Sequence, residues 1–279
     1  MEYLNQLTPA ETKLIMYPSG TQFRELLKLT FADLVLKGVL KVTRTEEDGE
    51  NFLVSAGKNF EQYSPQLHEA VFLSPFIKSP DIEILLRHLI AMARKAAYSQ
   101  SRYKNKYVAK NQRVQRYFGG GFFSRLFGST VLSEEGERAK VKIAAELKQM
   151  DRDISPLLAS NPKKAMEVLA KIGGNVLLLE SKIDFEVLKK YDKESWKEEH
   201  ERLVETSGVN DVWLLYMASF WFYDDLFYNL DGASDSFDTS YDEIESASAG
   251  GTGCGGDTGG GDSGCSGCSG CGGCGGCGG

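Results

Sequence analysis

Cysteine is missing from the first 249 residues of this 279-residue chain, and acidic residues are missing from its centre. Without cysteine, no disulfide can hold the folded part together. Between Ile84 and Ser133 there are ten Lys or Arg residues and no Asp or Glu, although the whole chain has a net charge of −7. This segregation predicts an anionic partner for the basic stretch, either outside the protein or in its own acidic C-terminal half.

Long apolar runs and a secretory signal are missing as well. The most apolar stretch, Val212 to Tyr223, has 12 residues before two aspartates interrupt it, whereas a helix needs about 20 residues to cross a bilayer. This stretch therefore predicts a buried core helix. The first residues, MEYLNQLTPAETKL, have neither the basic start nor the apolar region of a secretory signal. We expect a cytoplasmic protein without a transmembrane segment.

The common catalytic motifs are also absent. The sequence contains no G-x-S-x-G nucleophile elbow, no phosphate-binding loop and no H-E-x-x-H metal motif. Its three histidines, His68, His88 and His200, are isolated, and we expect His68 and His88 to lie in helices as satisfied or exposed side chains. The sequence therefore predicts a protein that is not an enzyme.

Helix signals and one hairpin define the N-terminal part. Residues Thr8 to Glu11 form a capping box with proline at the first helical position. Apolar spacing predicts one or two helices over residues 21–37, and Gly38 follows as a left-handed cap. Alternating residues on either side of a polar turn predict a β-hairpin over residues 39–55. Helices followed by a hairpin wing predict a winged-helix-like unit at residues 5–60.

The rest of the chain predicts a second winged-helix-like or helical unit at residues 64–150 and a helical region at residues 151–230. From residue 231 the composition turns to Asp, Ser, Ala and Gly and predicts a disordered acidic, then Gly/Cys-rich tail to residue 279. The fold class is thus mainly α with short β-hairpin wings, as tandem winged-helix-like units before a helical C-terminal region and a disordered tail. Helices are predicted to start near Asp81, at Ser133 after a short strand, and at Asn161-Pro162. A second helical stretch is predicted to reach about Phe118, and residues 184–205 are predicted to be a helical zone.

All six cysteines lie in the last 30 residues, of which 17 are glycine. The entropic cost of ordering so much glycine predicts no helix or strand there. Because thiolates are preferred ligands of Zn²⁺ and Cu⁺, the segment predicts binding of zinc or copper, or thiol chemistry. An inert tail and a post-translationally modified tail remain as alternatives. The candidate metal ligands are Cys254, Cys265, Cys268, Cys271, Cys274 and Cys277.

Tyrosines are interleaved with the cations of the basic stretch. Lysine and arginine neutralise phosphates, and tyrosine stacks on bases or lies at a bilayer interface. The stretch therefore predicts either a solvated helix that docks on the acidic half, or a surface for nucleic acid or anionic membrane at residues 94–125. The candidate anion-binding residues are Arg94, Lys95, Arg102, Lys104, Lys106, Lys110, Arg113 and Arg116.

Three segments, LTPAETKLI, FRELLKLTFADLVLKGVLKV and VLSEEGERAK, carry a resemblance together with the tail GCSGCSGCGGCGGCGG. The chain resembles bacterial proteins of uncharacterised function that have paired winged-helix-like units and, in several cases, Gly/Cys-rich tails. The first unit is also similar to the Golgi phosphoprotein 3 family, whose members bind phosphoinositide membranes. The resemblance covers residues 5–150 and 250–279 and implies a fold more than a function. Many of the bacterial proteins have hydrophobic membrane spans that this chain lacks, so it implies no membrane location.

We therefore expect a non-catalytic cytoplasmic scaffold or adaptor with a protein partner and a tail that binds soft metal ions or does thiol chemistry. One alternative is a precursor or carrier whose tail Cys and Ser are changed by a tail-modifying enzyme. The other is a binder of nucleic acid or anionic membrane through residues 94–125.

Overall fold

The computed structural model describes residues 1–45, 51–119, 130–181, 216 and 226–249. These residues are mainly helical, with two small antiparallel sheets. The helices are α1 (Pro9–Met16), α2 (Phe23–Leu36), α3 (Ala70–Lys78), α4 (Leu86–Ala97), α5 (Glu134–Ser160), α6 (Pro162–Ile172) and α7 (Leu226–Ala249). The strands are β1 (Leu40–Arg44), β2 (Phe52–Ala56), β3 (Ile84–Leu85), β4 (Phe118–Gly119) and β5 (Val131–Leu132). Short helical turns occur at Gln100–Arg102, Tyr103–Val108, Gln115–Tyr117 and Gly173–Leu178.

The predicted N-terminal helices are confirmed. Thr8 Oγ1 accepts the Glu11 N–H at 3.3 Å, and the Glu11 carboxyl accepts the Thr8 N–H at 2.8 Å, which completes the capping box of α1. α2 is one continuous helix rather than two. Gly38 follows it with a φ of 64°, a left-handed value that glycine adopts at little cost. These local signals turn the chain directly from α2 into β1.

The hairpin is confirmed, and it gains a strand that the sequence analysis missed. β1 and β2 pair antiparallel with Val42 opposite Val54, and β3 then pairs with the other edge of β2. The helix predicted to begin near Asp81 therefore begins only at Leu86, because Ile84–Leu85 is a strand. The helical stretch predicted to reach Phe118 is broken into short turns. This sheet thus joins residues 40–56 to the segment between α3 and α4.

The predicted starts of α5 and α6 are confirmed. Ser133 follows the short strand β5, and its hydroxyl accepts the Gly136 N–H at 3.0 Å. The Asn161 side chain accepts the Lys164 N–H at 3.0 Å and so caps α6. α5 packs against both α1 and α6.

The prediction of disorder is wrong for residues 231–249, which form most of α7. Leu230, Ala233, Phe237 and Tyr241 recur at helical spacing, and all four are buried. Burial of this face outweighs the weak helix propensity of the Asp, Ser and Gly residues between them. The rest of the predicted tail (250–279), the zone 184–205 and, apart from Tyr216, the apolar stretch 212–223 lie outside the described residues.

No helix in the described ranges is long and apolar enough to cross a membrane.

Candidate functional site

The basic stretch is divided between docked and exposed cations. Arg94 is docked, because its guanidinium carbon lies 4.5 Å from the centre of the Tyr241 ring on α7. Lys104 is buried, and burial lowers its pKa. Arg116 contacts Glu135 at 3.3 Å and donates to the Tyr117 hydroxyl at 2.7 Å. The exposed members are Lys95, Arg102, Lys106, Lys110, Arg113 and Arg116.

Most of the charge that holds the acidic helix α7 comes from α2. Lys28 Nζ lies 2.5 Å from the Asp238 carboxylate, and Arg24 Nη1 lies 2.6 Å from Asp242. Next to the Lys28–Asp238 pair, Phe237 packs against Phe31 with ring centres 5.7 Å apart. Of the predicted anion-binding residues, Arg94 is the one placed against this helix. Apolar contacts and ion pairs together therefore hold α7 against α2.

The six candidate cysteine ligands lie outside the described residues. Within the described ranges, no group of three or more His, Cys, Asp or Glu residues is placed to hold a metal ion. His68 was expected in a helix, but it is buried in the turn before α3. His88 lies on the helix α4, as expected, and is exposed.

A buried charged cluster, which the sequence analysis missed, lies at the end of α2. Lys37 Nζ is 2.7 Å from both the Asp33 and the Glu69 carboxylates and 3.0 Å from the Tyr63 hydroxyl. The Tyr216 hydroxyl donates to Asp33 at 2.5 Å. The three charged side chains are at most 2% exposed. The ammonium donates to Tyr63 and Glu69 and is paired with Asp33, so the cluster holds α2, the turn before α3 and Tyr216 together.

The charges of this cluster support one another. Burial alone would raise the pKa of Glu69, but the Lys37 ammonium and several hydrogen bonds outweigh it and lower this pKa to about 2. Burial would likewise lower the pKa of Lys37, but the two carboxylates raise it well above its usual value. For Asp33, burial prevails and its pKa is raised. Lys37 therefore stays protonated and is no candidate for a neutral nucleophile.

Two glycines bring the chain after α6 against this cluster. A Cβ on Gly174 would lie 1.9 Å from Asp33 Oδ1, and a Cβ on Gly173 would lie 2.3 Å from the Tyr216 ring. Gly173 also has a φ of 55°. Only glycine allows this close approach, so the Gly173-Gly174 pair fixes the end of α6 beside the cluster.

A second buried polar group lies at the start of α1. The Glu11 carboxyl accepts the Thr8 N–H at 2.8 Å and the Asn111 side-chain N–H at 2.7 Å, and burial raises its pKa to about 7. His68 Nε2 lies 3.2 Å from Thr8 Oγ1, and burial lowers the pKa of this imidazole to about 4. Glu11 and His68 therefore both favour their neutral forms in the folded protein.

These two groups predict opposite dependences of stability on pH. Glu11 binds its proton more tightly when folded, so its contribution falls as the pH rises from 4.5 to about 7. His68 binds its proton more tightly when unfolded, so its contribution rises between about pH 4 and 6.5. In urea unfolding, the free energy of unfolding of Glu11→Gln, taken as a difference from wild type, should rise between pH 4.5 and about 7. The same difference for His68→Gln should fall between about pH 4 and 6.5. Each change should be on the order of 2 kcal/mol.

The exposed residues Glu61 and His88 offer matched controls for these changes. The differences from wild type for Glu61→Gln and His88→Gln should stay flat over the same pH range. A flat difference for Glu11→Gln or His68→Gln as well would contradict the assignment of buried neutral forms.

An open cleft of about 680 Å³ lies above the charged cluster. Lys37, Tyr63 and Tyr216 line its floor, and the surrounding segments are 4–8, 63–66, Arg113 and 170–173. A smaller depression of about 260 Å³ adjoins this cleft, since Gln6, Leu7 and Arg113 line both. Arg116 lines the depression but not the cleft. The structure thus brings Arg113 and Arg116 together at one edge of the cleft.

Comparison with protein-family models, with curated proteins and with solved structures gives no match for this chain. The resemblances described from its segments and its tail therefore stay predictions.

Proposed function

We propose that this protein is a non-catalytic cytoplasmic scaffold or adaptor whose Gly/Cys-rich segment, residues 250–279, binds a soft metal ion such as zinc or copper or does thiol chemistry. The observation that carries the proposal is the anchoring of α7. This helix ends at Ala249 and is fastened to the body through Phe237 and the ion pairs of Asp238 and Asp242. The cysteine-bearing segment therefore begins directly after an anchored helix.

The chemistry of the charged cluster supports a non-catalytic role. The Lys37 ammonium contacts Tyr63, Glu69 and Asp33, and the two carboxylates among these groups raise its pKa. Such an ammonium fixes structure, whereas a nucleophilic lysine needs a lowered pKa. The polar groups at the floor of the cleft are already used to hold the body together.

We propose two alternative functions beside this one. In the precursor or carrier, a tail-modifying enzyme recognises the body and changes Cys or Ser in residues 250–279. The binder of nucleic acid or anionic membrane is favoured by the exposed cations Lys95, Arg102, Lys106 and Lys110. The winged-helix-like interpretation of residues 5–60 and 64–150, and a protein partner for the scaffold, remain proposals.

Metal content of the reduced full chain tests the leading function. We expect zinc or copper(I) to copurify with wild type, and to be lost when all six cysteines are replaced by serine, because thiolate ligands are removed while the body is unchanged. Elemental mass spectrometry after dialysis measures both metals. A matched control replaces Ser263, Ser266 and Ser269 by alanine, which alters the same segment but keeps every thiol.

Equal metal content in wild type and the cysteine-free variant would contradict metal binding by this segment. Intact mass spectrometry of protein from its native host tests the alternative. A mass added to residues 250–279 would favour the precursor, and an unmodified mass would exclude it.

A further inference from the structure

The walls of the cleft are tied together by buried amide hydrogen bonds. The Asn175 amide donates to the Leu4 and Leu7 carbonyls at 2.8 and 2.7 Å, which joins the N-terminal segment to the turn after α6. The Asn111 amide donates to the Glu11 carboxyl and to the Gln66 side chain, which joins the segment before Arg113 to α1 and to the 63–66 wall. The cleft is thus preorganised, and a ligand that enters it pays little ordering entropy.

The lining of this cleft is basic although the chain is acidic overall. Lys37, Arg113 and Lys171 line it, and no acidic residue of the described ranges does. Lys37 is neutralised from below by Asp33 and Glu69, but Arg113 and Lys171 form no ion pair with any described residue. Other cations of the body, such as Arg24, Lys28 and Arg116, do form ion pairs. Two positive charges that form no ion pair within the described part of the chain therefore line the cleft.

The other groups around the cleft define the rest of a ligand. Asn5, Gln6 and Ser64 offer amides and a hydroxyl, while Leu4, Leu7 and Ile172 are apolar. A cleft of about 680 Å³ has the size of pockets for small molecules and is much larger than a bare inorganic anion requires. The ligand therefore has a compact polar body attached to its charged group.

We propose that this cleft binds a small soluble phosphate monoester, whose phosphate contacts Arg113 and Lys171. A phosphate monoester carries a charge of about −1.5 to −2 at pH 7, which matches the two cations Arg113 and Lys171. The guanidinium of arginine donates two parallel N–H groups to phosphate oxygens, and lysine adds a point charge. This binding uses the body and needs none of the cysteines in the proposed metal-binding segment.

Calorimetric titration of the full chain with glycerol 3-phosphate tests the assignment. We expect saturable binding that weakens about tenfold in Arg113→Gln and several-fold in Lys171→Gln. Arg87→Gln is the matched control for Arg113, because this exposed arginine on α4 makes the same change of charge but lines neither cavity. Lys148→Gln is the control for Lys171, since it makes the same change of charge at an exposed site on α5. Both controls should bind as wild type does.

The ligand class is tested with three further probes. Succinate carries two negative charges but no phosphate, and inorganic phosphate lacks the polar body. Phosphatidic acid vesicles present the same monoester on a lipid surface. We expect each of these probes to bind more weakly than glycerol 3-phosphate. Equal binding of succinate or inorganic phosphate would overturn the assignment of a phosphate monoester, and vesicle binding without competition by glycerol 3-phosphate would overturn the soluble ligand. Absence of saturable binding, or equal loss in Arg87→Gln and Arg113→Gln, would overturn the site itself. The cysteine-free variant should bind the ester as wild type does, so this test is independent of the metal test.

Discussion

Lys37→Met is expected to destabilise the protein by about 3–5 kcal/mol, because it removes the cation that lies between two buried carboxylates. Asp33 and Glu69 each lie 2.7 Å from its ammonium and are at most 1% exposed, so water cannot replace the lost partner. A loss of this size is a large part of the whole stability of a typical domain. Urea unfolding followed by circular dichroism measures it.

Lys28→Met is the matched control on the same helix. Its ion pair with Asp238 is also short, at 2.5 Å, but the two side chains are 29% and 38% exposed. Solvent screening limits such a pair to about 0–1 kcal/mol. Equal losses for Lys28→Met and Lys37→Met would contradict the assignment of a buried cluster.

Neutralising the carboxylates separates charge from packing. In a background with Asp33→Asn and Glu69→Gln, the added change Lys37→Met leaves no uncompensated charge and should cost clearly less than it does alone. An unchanged cost in that background would show that the stem of Lys37, rather than its ammonium, carries the effect.

Elements specified by neighbouring residues were predicted well from the sequence. The capping box at Thr8, the left-handed Gly38 and the cap at Asn161 each act within a few residues, so their patterns can be read directly. β3 escaped prediction because two residues show no alternation. They form a strand only because the edge of β2 is available to them.

The charged cluster could not be predicted for a related reason. The spacing of Asp33 and Lys37 is that of an ordinary ion pair on a helix surface. Their burial depends on Glu69 and Tyr216, which are distant in sequence, and on the approach of Gly174. The one local signal was the position of Asp33 in the mostly apolar second half of α2, LTFADLVL, where an acidic residue on a buried face needs a partner.

The sequence predicted some of the residues at the cleft. Arg113 and Arg116 belonged to the predicted anion-binding stretch, but the pattern there did not separate them from Arg94, which docks on α7. Lys171 was not predicted at all, because it is an isolated cation at the end of α6. Only the tertiary fold places Arg113 and Lys171 at the same cleft.

α7 shows where composition misled the prediction. Its many Asp and Ser residues are typical of disorder, yet Leu230, Ala233, Phe237 and Tyr241 fall on one face that the body buries. Whether this helix is part of the core or a dispensable appendage has a direct thermodynamic test.

Phe237→Ala is expected to destabilise the protein by about 3–5 kcal/mol, since it removes a fully buried ring that packs against Phe31. Val141→Ala on α5 is the control, because this apolar side chain is 70% exposed and its truncation should change stability by less than about 0.5 kcal/mol. Thermal and urea unfolding of the full chain measure both. A similarly small effect for Phe237→Ala would mean that α7 is not part of the core, and the anchoring on which the proposed scaffold depends would then be wrong.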